Sequence, residues 1–462
     1  MPDAVLVGNN FAVLVAAAEL GAAGREVVLL TDGRAPGGHF RGLSVDGADF
    51  DIGAVLLDRI PPTGPAGDPG ADLGTYAPGR RYDWTRFGAL VDDWVAGRVA
   101  TRRTPTPEVL VGGRRWPDHL MTNRLDVVAA SGLPGPDPLP RDAPEHAAGK
   151  LGSPAYDNLG YAVAATRNHG PEVQRRLVDP FAAKVLGPAR EQLLARFHRT
   201  AWLPLYWPET VAAACEGRPT GLPENPFWTT GSGFVGDLVR SLERRVAALP
   251  QVLVHGEPVE SLAPAAGGWE VRTRDGGRWA GARPVLGLAP DRLRALLELP
   301  DRPKAPGASV LVTFCLVRGS ALGAGVGSLS VVDPEFTTYR LSDQDVLAGR
   351  DPEWHRVVVE AGPAAVARAQ AGEDVAAVLV AELGRLLGVE RVEEDVRVLR
   401  TVTAPNAVAV PTAGSVAADA AGLEELAAAA AGAVLTGALL GVGVTSLNDQ
   451  VVQGLAAAQA LG

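Results

Sequence analysis

The sequence predicts an α/β protein of two domains, one of which is assembled from separate segments of the chain. The first observation is a strand–helix–strand pattern at the start: residues 4–8 form a short apolar strand, residues 12–23 are helical, and residues 27–30 form a second strand. The second observation is that this pattern returns in the middle and at the end of the chain. The third is the length of 462 residues, which is too great for one simple core.

The strand–helix pattern returns after Trp228. Between residues 233 and 248, apolar residues recur at i, i+4 and i+8, which is the stripe of an amphipathic helix. Strand patterns follow at residues 252–255, 269–273 and 285–288. The remaining predicted elements are a helix at residues 375–387, a last helix at residues 447–461, and strands at residues 309–316, 356–360 and 396–403.

The regions between these segments differ in composition and in predicted secondary structure. Residues 61–79 are rich in Pro and Gly and are predicted to form a loop. Residues 108–116 predict a hairpin with Gly112 and Gly113 in its turn. Residues 153–217 are mainly helical. A second kind of domain therefore interrupts the first.

These two kinds of sequence pattern predict how the chain divides into domains. A strand–helix–strand unit of this kind typically opens a nucleotide-binding sheet. We predict a Rossmann-like domain made of residues 1–58, 230–290 and 421–462. We predict an inserted α+β, substrate-binding domain made of residues 59–229 and 291–420.

Composition argues against several classes of function. The formal net charge of −10 disfavours nucleic acid or an anionic membrane as a partner. Residues 426–444 carry no charge, but glycines interrupt them, so we predict a helix end, a buried strand and a turn rather than a membrane span. With no signal-peptide pattern at the N-terminus, this predicts a cytoplasmic protein. The histidines lack metal-ligand spacing and no nucleophile motif is present, so we predict no metal site.

Seven short motifs occur in an order that is informative. The first is Ala-Pro-Gly-Gly-His-Phe at residues 35–40, and the second is Gly-Ala-Asp-Phe-Asp-Ile-Gly-Ala at residues 47–54. The others lie at residues 170–181, 231–234, 258–259, 405–407 and 441–444. In order and spacing they resemble motifs of protoporphyrinogen oxidase and its superfamily of flavoprotein amine oxidases, phytoene desaturases and UDP-galactopyranose mutases. The resemblance covers nearly the whole chain, and the protoporphyrinogen oxidase branch is the most similar.

The resemblance implies FAD as the cofactor and a small molecule as the substrate. It implies an oxidoreductase in which the flavin accepts hydride during oxidation or desaturation of a small, specialised metabolite. The positions that it implies for the cofactor are Gly8, Asn10, Thr31, Asp32, Gly37, Gly38, Val259, Gly437, Ser446 and Leu447. Ser446 and Leu447 belong to a capping box that is predicted to start the last helix, whose N-terminus points at the flavin ring in that superfamily.

The dinucleotide fingerprint departs from the family's pattern. The three positions that require glycine fall on Gly8, Asn10 and Val13, and only the first is glycine. Asn tolerates positive φ, so we expect Asn10 to be able to keep the turn. The ribose-binding acid is replaced by Thr31, with Asp32 one step later, and Gly437 is followed by Ala438 rather than by a polar residue.

Three functions therefore stay open. The first is an FAD-dependent oxidoreductase, and the second is a redox-neutral, flavin-dependent isomerase or mutase. The third is a protein that has kept the fold but lost FAD binding, and that acts as a partner subunit or pseudoenzyme. A flavin-coloured protein would favour the first two functions, and a colourless protein would favour the third.

Catalytic residues are not identified by a motif, but some side chains are candidates. His39 follows the paired glycines, near the place that the resemblance implies for the flavin, although a loop histidine bonded to backbone explains it as well. Trp202, Tyr206 and Trp228 concentrate aromatic character in a chain with 5% aromatic residues. They border either a ligand pocket between the domains, which we predict, or a core patch.

Arg340, beside Tyr339, and the pair Trp354-His355 are further candidates on the same reasoning. Lysine-dependent amine oxidases place a lysine beside the flavin, and the lysine in a comparable region is Lys304. Its Arg-Pro-Lys-Ala-Pro context predicts a loop, so the lysine-dependent branch is not supported.

Overall fold

The computed structural model describes residues 2–59, 73, 84–137, 158–220, 227–302, 305–323 and 325–462. Its strands, in chain order, are β1 Ala4–Gly8, β2 Val27–Leu30, β3 Leu43–Val45, β4 Ala48–Phe50, β5 Leu57–Asp58, β6 Thr101–Arg103, β7 Glu108–Val111, β8 Arg114–Pro117, β9 Phe227–Thr230, β10 Val252–His255, β11 Val259–Ala265, β12 Gly268–Thr273, β13 Arg278–Gly281, β14 Val285–Gly287, β15 Gly307–Arg318, β16 Ser328–Val331, β17 Thr338–Asp343, β18 Trp354–Ala361, β19 Val396–Ala409 and β20 Val434–Leu435.

Its α-helices, in chain order, are α1 Phe11–Ala22, α2 Trp84–Ala96, α3 Asp126–Ala130, α4 Tyr161–His169, α5 Pro171–Val173, α6 Asp179–Leu186, α7 Pro208–Cys215, α8 Gly236–Ala247, α9 Pro290–Leu296, α10 Gln344–Leu347, α11 Pro363–Gln370, α12 Val375–Leu387, α13 Val392–Asp395, α14 Ala413–Ala429 and α15 Leu447–Leu461. A π-helical turn at Gln174–Val178 joins α5 to α6. Short 3-10 helices lie at Gly38–Arg41, Gly187–Gln192, Ala195–Ala201, Gly319–Ala321 and Gly437–Leu440.

A parallel sheet of five strands brings together distant parts of the chain. Its order is β10-β2-β1-β14-β20, and all four pairings are parallel. Each of the three segments predicted to form one domain therefore contributes strands to one sheet. The boundaries between the two domains stay a prediction.

The two faces of this sheet are covered differently. Helices α1, α8 and α15 pack on one face, where Leu6, Leu14, Leu238 and Val451 belong to one apolar core. The antiparallel sheet β11-β12-β13 covers the other face together with α9 and α14. Because both faces are buried, β1 and β2 are apolar along their whole length. We refer to this assembly as the first unit.

The second unit is built on a seven-stranded sheet of order β19-β15-β18-β17-β16-β7-β8. Along β15, residues of alternating parity face opposite sides. Leu311 and Cys315 pack with α11 and α12, whereas Val310 and Val312 face the side of α4, α6 and α7. This second side of the sheet faces the first unit and carries the cavity described below.

The predicted elements agree closely with the structure where the hydrophobic pattern was long. The bounds of β1, β2, β10, α12 and α15 are confirmed, and so is the hairpin at Gly112. Strands β16 and β17 and helix α14 were not predicted. The uncharged stretch at residues 426–444 contains a helix end and a strand, as predicted, but β20 is half-buried rather than buried and a 3-10 helix stands where a turn was expected. Within the described residues, no helix combines the length and apolar character that crossing a membrane requires.

Candidate functional site

The first turn of α1 is closed by Asn10. Asn10 is the N-cap, with φ −71° and ψ 166°, and its Oδ1 accepts a hydrogen bond from the Val13 amide at 2.9 Å. The expectation that Asn10 uses positive φ to keep a glycine-like turn is therefore wrong. Asn10 has ordinary extended backbone because it acts as a helix cap, and Gly8, with φ +132°, provides the turn.

The other two amides of this turn are closed by a residue far away in sequence. Gln450, in the first turn of α15, accepts hydrogen bonds through Oε1 from Phe11 (2.9 Å) and Ala12 (3.3 Å). The N–H groups of a helix's first turn have no partner within the helix, which is why they bind phosphate in nucleotide-binding folds. In α1, side chains of this chain take all three.

The glycines around Asn10 leave room that its side chain fills. A Cβ on Gly437 would lie 2.3 Å from Asn10 Nδ2, and a Cβ on Gly287 would lie 2.7 Å from the same atom. The Gly287 Cβ would also lie 2.2 Å from Val13 Cγ2. Gly287 on β14 thus makes room for Val13, which stands where the fingerprint has glycine. Helix α1 and strand β14 still pack closely here, but the space beside Gly287 is filled by the side chain of Val13.

The positions implied for adenosine are also bonded within the chain. Asp32 Oδ1 accepts from the Val259 amide at 2.9 Å, and Arg292 pairs with both carboxylate oxygens of Asp32 at 3.0 Å. Arg292 also donates to the Val259 carbonyl. Thr31 is buried. Both backbone groups of Val259, which the resemblance implies for adenine, are therefore already used.

The paired glycines at residues 37 and 38 lie beside this closed region. A Cβ on Gly37 would lie 2.3 Å from Val239 of α8, so this position needs glycine for packing alone. Gly38 lies over the start of α1, where a Cβ would be 3.8 Å from the Asn10 Cα. Gly8 likewise packs against Gly287, with a Cβ placed 2.4 Å from its carbonyl carbon. Close packing accounts for Gly8 and Gly37 without a nucleotide.

A cavity of about 980 Å³ lies between the two units. Its apolar wall is formed by residues of the second unit, Phe181, Val185, Val310, Val312, Ala404 and Val408. Its polar and aromatic lining includes His39, Asp58, Arg199, Trp202, Arg340, Glu360, Ser446 and Asn448. Its described lining contains none of Gly8, Asn10, Thr31, Asp32, Val259 and Gly437. The cavity therefore does not extend into the closed region.

A buried ion pair forms part of the cavity wall. Arg340 donates from Nε and Nη2 to the two oxygens of Glu360 at 2.8 Å each, and the Tyr339 hydroxyl donates to Oε2 at 2.7 Å. Burial opposes the charge on Arg340, but Glu360 outweighs it and raises the pKa of the guanidinium. Burial, with the nearby charge of Glu360, also raises the pKa of Tyr339. Arg340 Nη1 has no hydrogen-bond partner among the residues described.

Two further ionisable groups line the cavity. Arg199 lines it half-buried, and no acid in the described part of the chain forms an ion pair with it. His39 lines the cavity, where partial desolvation lowers the pKa of its imidazole although the residue is exposed to solvent. We therefore expect a neutral His39 at pH 7.

The start of α15 also opens onto the cavity. Ser446 caps this helix, and Ser446 and Asp449 form the predicted capping box. Thr445, Ser446, Leu447 and Asn448 line the cavity. The first-turn amides of Leu447 and Asn448 have no intrahelical acceptor, and no hydrogen bond occupies them within the described residues. Asn448 Nδ2 donates to the Asp58 carbonyl at 2.8 Å, which places Asp58 at this end.

The predicted aromatic cluster is divided among different surroundings. Trp202 lines the cavity, with the Arg340 guanidinium 5.7 Å from its ring. Tyr206 does not line it, because its hydroxyl donates to the carbonyls of His119 and Thr122. Trp228 is in β9 with Arg59 over its ring at 4.5 Å, and is also outside the described lining. Of the three, the structure thus brings only Trp202 to the cavity.

The remaining candidates have local roles. His355 bonds Asp343 and Asp351, and Trp354 lies under Arg318 and Arg397. Lys304 and the predicted loop at residues 61–79 lie outside the described residues, apart from residue 73. Sequence reasoning missed Gln450, Gln453, Arg292 and Glu360. A buried Gln in the first turn of a helix was a signal for the first of these, but its partner is more than 400 residues away.

Known proteins resemble the chain in fold. No family model and no curated protein sequence matches it. A reduced UDP-galactopyranose mutase is 14% identical over 100% of this chain and 96% of its own, with a TM-score of 0.64. A protein named as a protoporphyrinogen oxidase, from Exiguobacterium sp. 255-15, is 15% identical over 99% and 97%, with a TM-score of 0.61. A double mutant of putrescine oxidase is 15% identical over 100% and 98%, with a TM-score of 0.59.

These likenesses confirm the predicted fold, which is that of the flavoprotein amine oxidases and their relatives. The residues present do not fit the cofactor that this fold implies. The amides for the pyrophosphate are bonded to Asn10 and Gln450, and the backbone groups for adenine are bonded to Asp32 and Arg292. The amides of Phe11, Ala12 and Val13 and both backbone groups of Val259 are therefore not free to bind the adenosine diphosphate half of FAD.

Proposed function

We propose that this chain binds a small organic anion in the cavity between its two units, and that it does so without FAD. The observation that carries the proposal is Arg199, a cation in the cavity wall with no acidic partner among the described residues. A half-buried guanidinium needs a counter-charge or water. A carboxylate-bearing ligand would supply that charge.

The shape and lining of the cavity support a ligand of metabolite size. Ligand pockets commonly measure about 300–1,000 Å³ and combine apolar walls with a few polar groups. Here Arg199, Trp202 and Arg340 form a cationic and aromatic end, and Val310 and Val312 lie on the apolar wall. Arg340 is already paired with Glu360, which leaves the charge of Arg199 for a ligand to neutralise. The best ligand is therefore a monoanion with an apolar body.

A second candidate is an FAD-dependent oxidoreductase or a flavin-dependent isomerase acting on a small metabolite. The fold shared with putrescine oxidase and UDP-galactopyranose mutase favours it, and so does the open start of α15 at the cavity. The closed first turn of α1 opposes it. A partner subunit without catalysis is compatible with the first proposal, since ligand binding alone does not require chemistry.

The test is a thermal-shift screen with aromatic and aliphatic carboxylates and their methyl esters. We expect some carboxylates to raise Tm, and their neutral esters to have little effect. Arg199→Met should remove the response. Arg190→Met should keep it, because Arg190 pairs with Asp179 outside the described lining of the cavity. Equal responses to esters, or a full response in Arg199→Met, would contradict the proposal. Flavin absorbance in the purified protein would favour the second candidate.

A further inference from the structure

We propose that the amide side chains of Asn10 and Gln450 are built-in replacements for the diphosphate of a nucleotide, so that the fold is complete without a cofactor. The inference concerns the closed region at α1 and does not depend on what binds in the cavity. The two amide oxygens take the hydrogen bonds that phosphate oxygens would otherwise take from Phe11, Ala12 and Val13.

Each replacing side chain is fixed at both of its ends. Gln450 Nε2 donates to the Thr445 carbonyl at 3.1 Å, while its Oε1 accepts from α1. Asn10 Nδ2 donates to Thr436 Oγ1 at 3.2 Å, and that hydroxyl donates to the Leu286 carbonyl at 3.1 Å. Each side chain is therefore held by hydrogen bonds at both ends, and a ligand could displace it only by breaking those bonds.

A third amide side chain closes the loop that precedes α15. Gln453 Oε1 accepts from the Gly437 amide at 2.7 Å, and Gln453 Nε2 donates to the Val444 carbonyl at 2.8 Å. Gly437 is one of the positions that the resemblance implies for FAD. Three neutral amides therefore connect α1, α15 and the loop between β20 and α15, where one shared ligand would otherwise join them.

The nature of the replacement also predicts what would happen if it were removed. A helix N-terminus favours negative charge. The side-chain oxygens of Gln450 and Asn10 accept hydrogen bonds from it but carry no charge. Without Gln450, the amides of Phe11 and Ala12 would lack an acceptor in a buried place. A diphosphate in solution could then satisfy them, whereas in the wild-type chain these two amides are already bonded to Gln450.

The experiment is a rescue measurement on Gln450→Ala. We expect Tm to fall by a few degrees, and ADP to restore part of the loss while adenosine does not. ADP and FAD should leave the Tm of the wild-type protein unchanged. Gln344→Ala is the matched control: this buried glutamine also accepts from a backbone amide, that of Asp51, far from α1. It should lower Tm without rescue by ADP.

Several outcomes would overturn the inference. These are an unchanged Tm in Gln450→Ala, a loss of stability that ADP does not reverse, or an equal effect of ADP on the control. If Gln450→Ala does not fold, hydrogen exchange of the wild-type protein decides the question. The Phe11 and Ala12 amides should be strongly protected without any nucleotide. Fast exchange that ADP slows would contradict the proposal.

Discussion

Helices α1 and α15 begin close together in the first unit, yet their first turns are finished in opposite ways. In α1, Asn10 and Gln450 accept from the amides of Phe11, Ala12 and Val13. In α15, Ser446 and Asp449 form a capping box, and Leu447 and Asn448, whose amides have no hydrogen bond within the described residues, line the cavity. One helix start is closed by the protein itself, and the other remains open to a ligand.

This difference indicates that the region at the start of α1 and the cavity at the start of α15 are independent of each other in this fold. A helix N-terminus binds an anion only while its N–H groups are free. At the start of α1 the amides are bonded within the chain, whereas the start of α15 adjoins a cavity of the size of a small molecule. A likeness in fold therefore says less about the cofactor than the hydrogen bonds at one helix turn.

The largest predicted effect tests the cationic end of the open region. Arg340→Met would leave Glu360 buried with only the Tyr339 hydroxyl as partner. Breaking a buried ion pair from one side typically costs about 3–5 kcal/mol. We expect chemical denaturation to show a loss of this size. Arg340→Met combined with Glu360→Met should recover much of it, and a double variant as unstable as the single one would argue against the ion pair as the cause.

The next prediction concerns a third helix start, at α8, which a carboxylate closes. Asp51 accepts from the amides of Val235 (2.9 Å) and Gly236 (3.4 Å). Burial raises its pKa from 3.8 to about 7, and the two amides oppose this only in part. Between these values the unfolded chain loses the proton while the folded chain keeps it, so stability from this group falls as pH rises from about 4 to about 7.

Asp51→Asn measures this effect directly. The difference in unfolding free energy between the wild type and Asp51→Asn should decline across that pH window, by at most about 1.4 kcal/mol per pH unit for one proton. Taking the difference cancels other titrating groups, such as His169, whose pKa burial lowers to about 4. A difference that is flat with pH would contradict the raised pKa.

A smaller predicted effect compares the two N-caps themselves. Asn10→Ala removes the cap of α1 and the bond to Thr436, and should cost about 1–2 kcal/mol. Ser446→Ala removes the cap of α15 and should cost about 1 kcal/mol. Paired urea titrations would rank them. A costlier Ser446→Ala would mean that the open helix start, and not the closed one, holds the first unit together.

The smallest predicted effect is at the adenosine position. Asp32→Asn weakens the pair with Arg292, which is more than one third exposed, so we expect a loss of about 1 kcal/mol or less. The Val259 amide keeps an acceptor in the Asn side chain. Denaturation of this variant, with Arg272→Met as a control for the loss of an exposed ion pair, would measure it. A much larger loss would show that this pair is essential to the fold.

The fold could be predicted because the spacing of apolar residues within each segment indicates a helix or a strand without knowledge of the rest of the chain. The strand β1 and the helix α15 each carry their own pattern, and the capping box at Ser446 is a short motif. The departures at Asn10 and Val13 were also visible. Their meaning was not, because Gln450 acts on α1 across 438 residues and Gly287 makes room for Val13 from a neighbouring strand. Such compensations depend on tertiary contacts.

The cavity was predictable only in part for the same reason. Composition singled out Trp202, Tyr206 and Trp228 together, but the structure turns the Tyr206 hydroxyl to two backbone carbonyls and leaves only Trp202 at the cavity. Arg340 was a candidate beside Tyr339, whereas its partner Glu360 lies on another strand, β18. Which strands lie side by side decides such pairs, and β17 had no strong pattern of its own.

The most direct test of the central claim is calorimetric titration of the wild-type protein with FAD, after any flavin has been removed and the native fold verified by circular dichroism. The closed first turn of α1 predicts no measurable heat of binding, because Asn10 and Gln450 hold the amides that the diphosphate would need. Saturable binding of one FAD per chain would contradict the account.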